Sequence, residues 1–393
     1  MAEYTRKRKK RRHTGFVVGI IFLLMLIAAI FVYAKLTEGL DHLGRADTRA
    51  EEGADPEHQG ADNEEPSAQV QVNSGVAAQE HLHGYRNIAL IGLDNREGIQ
   101  SYGNSDTMLI ASINNDTKCV RLLSIYRDTF LNMGDGYEGH YHKANNAYNI
   151  GSATQLLSMI NTNLDLAVTD YVIVDFNAVA TLIDDLGGVN ISMTADEVTH
   201  MNNYCVETSE VTGKGYEKIW PEVEGTYHLN GVQAVGYARI RYTAGNDMKR
   251  AARQRLVISK IVEAAKKRGI LAFPNIVEDV FPLIKTNISK TEIIKLGSSI
   301  FNYSLEKTGG FPFTYIYADA EGLDAIAPVT LYHNVQLLHS WLFDYDGYEP
   351  SEAVKHYSDY IAGVTGYDET WIEYAEQFAI QEMPDTGSEA DGS

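Results

Sequence analysis

Asn87–Arg96 reads NIALIGLDNR, Ser105–Ile113 reads SDTMLIASI, and Arg121–Thr129 reads RLLSIYRDT. Each segment holds an apolar run of strand length and β-branched character, and the connections are rich in Gly, Asn and Ser. Taken as an up-down-up antiparallel meander, the first strand ends at Asp94 and the second begins near Asp106. The third ends at Arg127 and Asp128. Four charged groups then gather at one edge of a sheet, whereas charges placed only for solubility would be scattered over both ends of the strands.

Downstream, Lys143–Tyr148 (KANNAY) leads into a helical pattern from Ser152 to about Leu164. Tyr171–Asp175 (YVIVD) reads as a buried strand and Phe176–Leu186 as a helix. Gly187 and Gly188 stop that helix, and Val189–Met193 is another strand. Strands alternating with helices of this length predict an α/β domain with layers of helix and sheet. Thr194–Val223 reads as a polar, irregular excursion at the surface. Gly225–Arg241 (GTYHLNGVQAVGYARIR) then carries the chain back towards the charged edge.

Asp247–Arg268 is the second informative stretch. Asp247 suits the cap of a helix whose Val257, Ile258, Ile261, Val262 and Ala265 form one apolar stripe. Asp247, Arg250 and Gln254 share a face at i, i+3 and i+7, with Arg253 beside it. Arg239 and Arg241 are two residues apart, so extended chain would point them the same way. Solvated helices favour Lys and Glu, and here the lysines come only later, at Lys266 and Lys267. Arginine binds phosphate oxygens through a planar fork and keeps its charge. Magnesium takes one or two carboxylates plus phosphate oxygens and water. Acids beside several arginines therefore describe a bound diphosphate. No P-loop, dinucleotide-binding glycine pattern, HExxH or GxSxG element is present to support nucleotide, zinc or serine-hydrolase chemistry. His140 and His142, flanking a tyrosine, are too few to suggest a metal centre.

The ends of the chain add topology. Arg6–Arg12 (RKRKKRR) is an unbroken basic run, and Gly15–Ala34 carries no charge. At about 1.5 Å per residue that stretch spans roughly 30 Å, the thickness of a bilayer core. Basic residues before it and acidic ones after it place the N-terminus inside the cell and the rest outside. The expected organisation is a basic cytoplasmic segment (1–13), a transmembrane signal-anchor (14–36) and a disordered acidic tether (37–84). A catalytic domain (85–268), a C-terminal helical or α+β extension packed on the core (269–381) and a disordered tail (382–393) follow. The tether would span roughly 40 Å as a flexible coil. Across 393 residues the formal charge is −20, which argues against nucleic acid as a partner. The two cysteines, Cys119 and Cys205, are too few for a disulfide scaffold, and their pairing is left open.

These motifs, in this order, resemble the LytR-CpsA-Psr family of membrane-anchored wall-polymer ligases. NIALIGLDNR, SDTMLI, LLSIYRDTF, KANNAY, DYVIVDFNAVATLIDDLGGV, LNGVQAVGYARIR and DMKRAARQ carry the likeness, from about Asn87 to Arg268 and less distinctly to Tyr360. One departure is Tyr126, where the family usually has proline. The resemblance implies a three-layer α/β/α domain with a mixed central sheet. It implies a polyprenyl pyrophosphate with its tail in an apolar tunnel and its head on arginines and magnesium (or manganese). Asp94 and Asp106 would be the metal ligands. Arg127, Arg239, Arg241, Arg250 and Gln254 would hold the pyrophosphate, with Arg96 and Lys143 as further contacts and Asp247 and Arg253 in support. Catalysis would fall to Arg127, Asp106 and Asp128, with the base left open between the two aspartates. The implied reaction moves a glycopolymer (teichoic acid, capsule or another secondary wall polymer) from undecaprenyl pyrophosphate to peptidoglycan, releasing undecaprenyl phosphate. The implied setting is the cell membrane of a Gram-positive-type bacterium. Alternatives are a polyprenyl-pyrophosphate hydrolase and a membrane-bound transcriptional attenuator; the latter has only about a dozen residues inside the cell to work with.

Overall fold

The three segments of the meander are strands in a computed structural model that describes residues 69–93, 103–134, 139–241, 246–268, 273–289 and 302–382, with Glu292 and Leu296. Strands β1 (Tyr85–Leu93), β2 (Ser105–Asn114) and β3 (Cys119–Ile125) pair antiparallel, Ala89 opposite Ile110 and Ile110 opposite Leu123. The β2–β3 turn has a local cause. Asn114 accepts the N–H groups of Asp116 and Thr117 on its side-chain oxygen, and Lys118 takes a left-handed φ of 63°.

A short hairpin follows, β4 (Phe130–Asn132) with β5 (Tyr141–Lys143), then helix α1 (Asn146–Leu164). Strand β6 (Asp170–Val174) lies parallel to β1, and α2 (Phe176–Asp185) leaves it with Asp175 as its cap. Gly187 and Gly188 end α2 at φ 80° and 89°, returning N–H groups to Asp184 and Ile183, as two successive glycines allow. Strand β7 (Val189–Met193) comes next, as expected.

Thr194–Val223 departs from the sequence reading. Its first part is a regular helix, α3 (Ala195–Thr212), opened by a reciprocal capping box between Thr194 and Glu197. Val198, Met201, Cys205 and Thr208 form its buried stripe, so narrow that the polar remainder hides it in the sequence. After β8 (Gly225–Leu229), paired with β7, come α4 (Gly231–Ala238) and α5 (Asn246–Arg268).

The C-terminal extension completes the main sheet. Beyond α6 (Phe273–Asp279) and the short β9 (Lys285–Thr286), strand β10 (Ser304–Phe311) runs parallel to β3. The hairpin β11 (Tyr315–Ala320) and β12 (Leu323–Pro328) and helices α7 (Leu331–Phe343), α8 (Glu352–Thr365) and α9 (Ile372–Glu382) close the chain. Within the extension, residues 290–301 other than Glu292 and Leu296 lie outside the described residues. The six-stranded sheet is ordered β10-β3-β2-β1-β6-β9 and is mixed. Ala89, Ile91, Met108, Ile110, Leu123 and Ile125 pack on α1, α7 and α8, forming the main core. On the opposite face Ile88 and Ile113 are covered, but Leu90, Val120 and Val172 are only half-buried. A second apolar cluster joins α2–α5 with β7 and β8.

The segment 69–84, read in sequence as the end of the tether, is packed. Val76 is 1% exposed, and Asn73 donates to Asp165 Oδ1 at 2.6 Å and to Thr162 O at 2.8 Å. Isolated apolar residues in a polar stretch carry no period, so composition alone missed them. The basic segment, the apolar span and nearly all of the tail lie outside the described residues. Among the described residues no helix is long and apolar enough to cross a membrane. Both cysteines are free.

His81 closes this segment onto α7. Its Nε2 lies 2.9 Å from His339 Nδ1, and His339 Nε2 lies 3.2 Å from Leu164 O. Burial keeps the His339 ring neutral, so with Nε2 donating to the carbonyl its Nδ1 accepts from His81 Nε2. Burial pulls His339 from 6.5 down to about 3. A base held below its unfolded pKa stabilises the fold fully above pH 6.5, and that contribution fades as pH falls towards 3. We expect the melting temperature to drop between pH 7 and 5, by the equivalent of about 2 kcal/mol. His339→Gln keeps a donor and an acceptor without titrating and should flatten that slope; an unchanged slope in the variant would show that His339 is not responsible.

Candidate functional site

Asp106, at the start of β2, stands between two arginines. Its Oδ1 accepts from Arg127 Nη1 at 2.8 Å and its Oδ2 from Arg241 Nη2 at 3.1 Å. Arg127 sits on the turn after β3, with its Nε 3.4 Å from both Asp128 Oδ2 and Asp247 Oδ2. Lys143, at the end of β5, places Nζ 3.4 Å from Asp128 Oδ1. Asp247 and Arg250 come from the first turns of α5, and Arg250 Nη2 is 3.1 Å from Asp247 Oδ1. Asp106, Arg127, Asp247, Arg250 and Gln254 line one narrow cleft, together with Ser124 and Tyr126. Seven charged side chains from five separate stretches of sequence thus meet at the edge that strand direction predicts.

Backbone bonds fix the turn that carries Arg127. Thr129 donates N–H and Oγ1 to Tyr126 O, Asn145 donates N–H to Arg127 O, and Ile326 of β12 donates N–H to Asp128 O. Tyr126 donates its own N–H to Phe311 O at 3.0 Å. Proline, the family's usual residue there, has no N–H and could not make that bond. The Tyr126 ring lies over Gly310, where an added Cβ would come within 2.2 Å of its hydroxyl, so β10 must carry glycine.

The charges are unevenly settled. Burial opposes the charge on Arg127, but Asp247, Asp106 and Asp128 outweigh it and raise its pKa. Arg250 is 4% exposed, and burial pulls it down to about 10, with Asp247 opposing and Arg127 and Arg241 adding repulsion. Burial, with Asp247 beside it, pushes the Asp128 carboxyl up. Asp247 is held below the usual range: burial works against its charge, but Arg250 and a hydrogen bond from Asp128 prevail. Of this pair, Asp128 holds a proton more readily. Arg250 Nε and Nη1 have no hydrogen-bond partner among the described residues. Buried guanidinium nitrogens facing a cleft beside the N-terminal turns of a helix suit a polyanion.

Not every expected residue arrives. Arg239 is the C-cap of α4 in right-handed helical conformation, not extended chain, so it does not point with Arg241. It pairs with Glu207 at 2.7 Å and Thr208, and lies over the ring of Phe176. Arg253 turns to Glu197 at 2.9 Å and donates to Ile240 O, fixing the chain next to Arg241. Asp94 and Arg96 lie outside the described residues. Neither His140 nor His142 belongs to a metal-ligating group of three or more His, Cys, Asp or Glu side chains; none exists among the described residues. Sequence reasoning passed over Arg255 and Ser124, which are bonded to each other at 2.8 Å. The available signal was a third arginine in the short run Arg250–Arg255.

A protein-family model, the LytR_cpsA_psr family, matches residues 46–309. The polyisoprenyl-teichoic acid–peptidoglycan teichoic acid transferase TagT of Bacillus subtilis is 29% identical over 215 residues, 53% of this chain and 62% of that protein. TagV of the same organism, a transferase of the same description, is 26% identical over 218 residues, 53% of each chain. The chain thus spans only about half to three-fifths of the length of these curated relatives. A solved structure, "TagT bound to LI-WTA", superposes with a TM-score of 0.51 at 22% identity, covering 68% of this chain and 92% of that one, which is a likeness of fold.

Proposed function

Because the chain belongs to the LytR-CpsA-Psr family, we propose that it is a phosphotransferase joining a lipid-linked glycopolymer to peptidoglycan. The names of its Bacillus subtilis relatives support this reading. The observation that carries it is Arg250, deeply buried, with two nitrogens unpartnered among the described residues in a cleft that also holds Arg127 and Gln254, while Arg241 is bonded to the cleft's Asp106. Arginine forks without protein partners are what a pyrophosphate head would complete. The half-buried row Leu90, Val120 and Val172 offers an apolar face for a prenyl tail. Undecaprenyl as the carrier, and its monophosphate as the product, belong to the same reading.

In the reaction the acceptor hydroxyl attacks the polymer-side phosphorus. The new P–O bond forms as the bond to the bridging oxygen breaks, and prenyl monophosphate leaves. Arg127, Arg241 and Arg250 neutralise the charge that moves to the leaving phosphate. Asp128 takes the acceptor's proton: its oxygens lie 3.4 Å from Arg127 and Lys143, looser than the 2.8 and 3.1 Å bonds that hold Asp106, and it has the raised proton affinity a base near neutrality needs. A magnesium or manganese ion fits the donor set in one respect. Asp106 is a partly exposed carboxylate that would exchange one of its arginine contacts for the ion, and such ions commonly take one or two carboxylates with phosphate and water. Asp106, with Asp94, would hold it, and it would supply further charge neutralisation. We further propose that residues 14–36 anchor the chain, with the folded region outside the cell.

The test is to reconstitute the full chain in vesicles with a lipid-linked polymer and peptidoglycan fragments. A covalent polymer–glycan adduct is expected, suppressed by EDTA and restored by Mg2+. Free phosphorylated polymer without adduct would instead make the protein a hydrolase.

A further inference from the structure

Four arginines are buried among the described residues: Arg121, Arg250, Arg253 and Arg255. Arg121 is paired with Glu306 and Asp344 and donates to Trp341 O. Arg253 has Glu197 and Ile240 O. Arg250 has Asp247 and faces the cleft. Arg255 differs from all three. It is 9% exposed; among the described residues its one hydrogen bond goes from Nη1 to the neutral Ser124 Oγ, and its Nε has no partner. No carboxylate among the described residues forms an ion pair with it. A buried cation without a counter-charge is strongly unfavourable, so an anion from outside is the natural completion.

Its position says which anion. Arg255 follows the cleft-lining Ala251 by four residues, so it shares that helix face one turn, about 6 Å, further along α5. Its partner Ser124 also lines the cleft. Ser124 alternates along β3 with Leu123 and Ile125, which enter the main core, so it points to the other face of the sheet. That is the face where Leu90, Val120 and Val172 are only half-covered. Arg255 therefore stands where the charged cleft gives way to the apolar face.

We propose that Arg255, held by Ser124, binds the lipid-side phosphate of a prenyl pyrophosphate and keeps hold of it in the prenyl monophosphate that leaves. This rests on the reading of the cleft as a pyrophosphate site. The division of labour follows: Arg241, bonded to Asp106 at the cleft mouth, serves the outer phosphate, and Arg255 serves the inner one.

The test uses the full chain in detergent, titrated with farnesyl monophosphate and farnesyl pyrophosphate, with melting curves for each variant. Arg255→Gln should weaken both ligands about tenfold, the scale of one charge-assisted hydrogen bond. Arg241→Gln should weaken the pyrophosphate alone. Free Arg255→Met should melt no lower than wild type, because an uncompensated buried charge has been removed, and its ligand-induced rise in melting temperature should shrink. Unchanged affinities in Arg255→Gln would overturn the proposal, as would a large fall in the melting temperature of both variants with the ligand-induced rise intact. If wild type binds neither compound, the pyrophosphate reading itself fails; if wild type binds and Arg255→Gln matches it, only the role of Arg255 does.

Discussion

Arg127→Ala should lower kcat/KM for polymer transfer by about 10³-fold, within the range seen when an arginine that neutralises phosphoryl transfer is removed. The side chain lies against Asp106, Asp128 and Asp247 at once. On the proposed reading, deleting it removes a contact to the phosphates; it also leaves three carboxylates with less positive charge between them. Both losses act in the transition state, so kcat should fall more than KM rises. The pH profile adds an independent signature. The Arg127 guanidinium draws the Asp128 carboxyl down against the burial that pushes it up. Without that cation the Asp128 pKa climbs further, and the rising, alkaline-going limb of the rate profile should move to higher pH. Arg127→Lys restores the charge but not the planar fork, so it should recover the pH limb better than the rate. Wild-type transfer by Arg127→Ala, with the fold intact, would place the chemistry elsewhere.

Phe311→Ala should cost about 3–5 kcal/mol of stability, the usual range for a buried phenylalanine. Phe311 is fully buried at the end of β10, opposite Ile125. Its carbonyl accepts the N–H of Tyr126, so the cavity would open beneath the turn that carries Arg127. At about 2–4 °C per kcal/mol for a chain of this size, the melting temperature should fall by roughly 10 °C in a single transition. One transition is expected because α7 and α8 share the main core with β1–β3. A melt that splits in two, with one step unmoved, would show that the C-terminal extension folds by itself.

The meander and most of the cleft were legible because their signals are short in range. Alternation along β1–β3 sets which side chains are buried, and strand direction alone brings Asp106 to Arg127. Helical spacing does the same for Asp247, Arg250 and Gln254. The misses have equally particular causes. Arg239 was aimed by assuming extended chain, but the capping box of Asn230 and Gln233 starts a helix that turns it towards Glu207. Helix α3 was hidden because its buried stripe includes Thr208 and Cys205, residues of weak hydrophobic signal. Val76 was lost in the composition of the tether. Arg255 is one more arginine in the run from Arg250, and only tertiary packing reveals that it is enclosed with no acid paired to it among the described residues.

The parallel pairing of β10 with β3 also sets an order of events. Arg121 and Glu306 are 185 positions apart, and their contact forms only once both strands are present. As the chain is synthesised from its N-terminus, Arg127 emerges long before the strand that supports its turn. A nascent chain therefore carries the arginine without the scaffold that aims it, and contacts so distant in sequence close late. The cleft is complete only after β10 has docked, so a partly made chain would carry Arg127 without its aim until the last quarter of the sequence is in place.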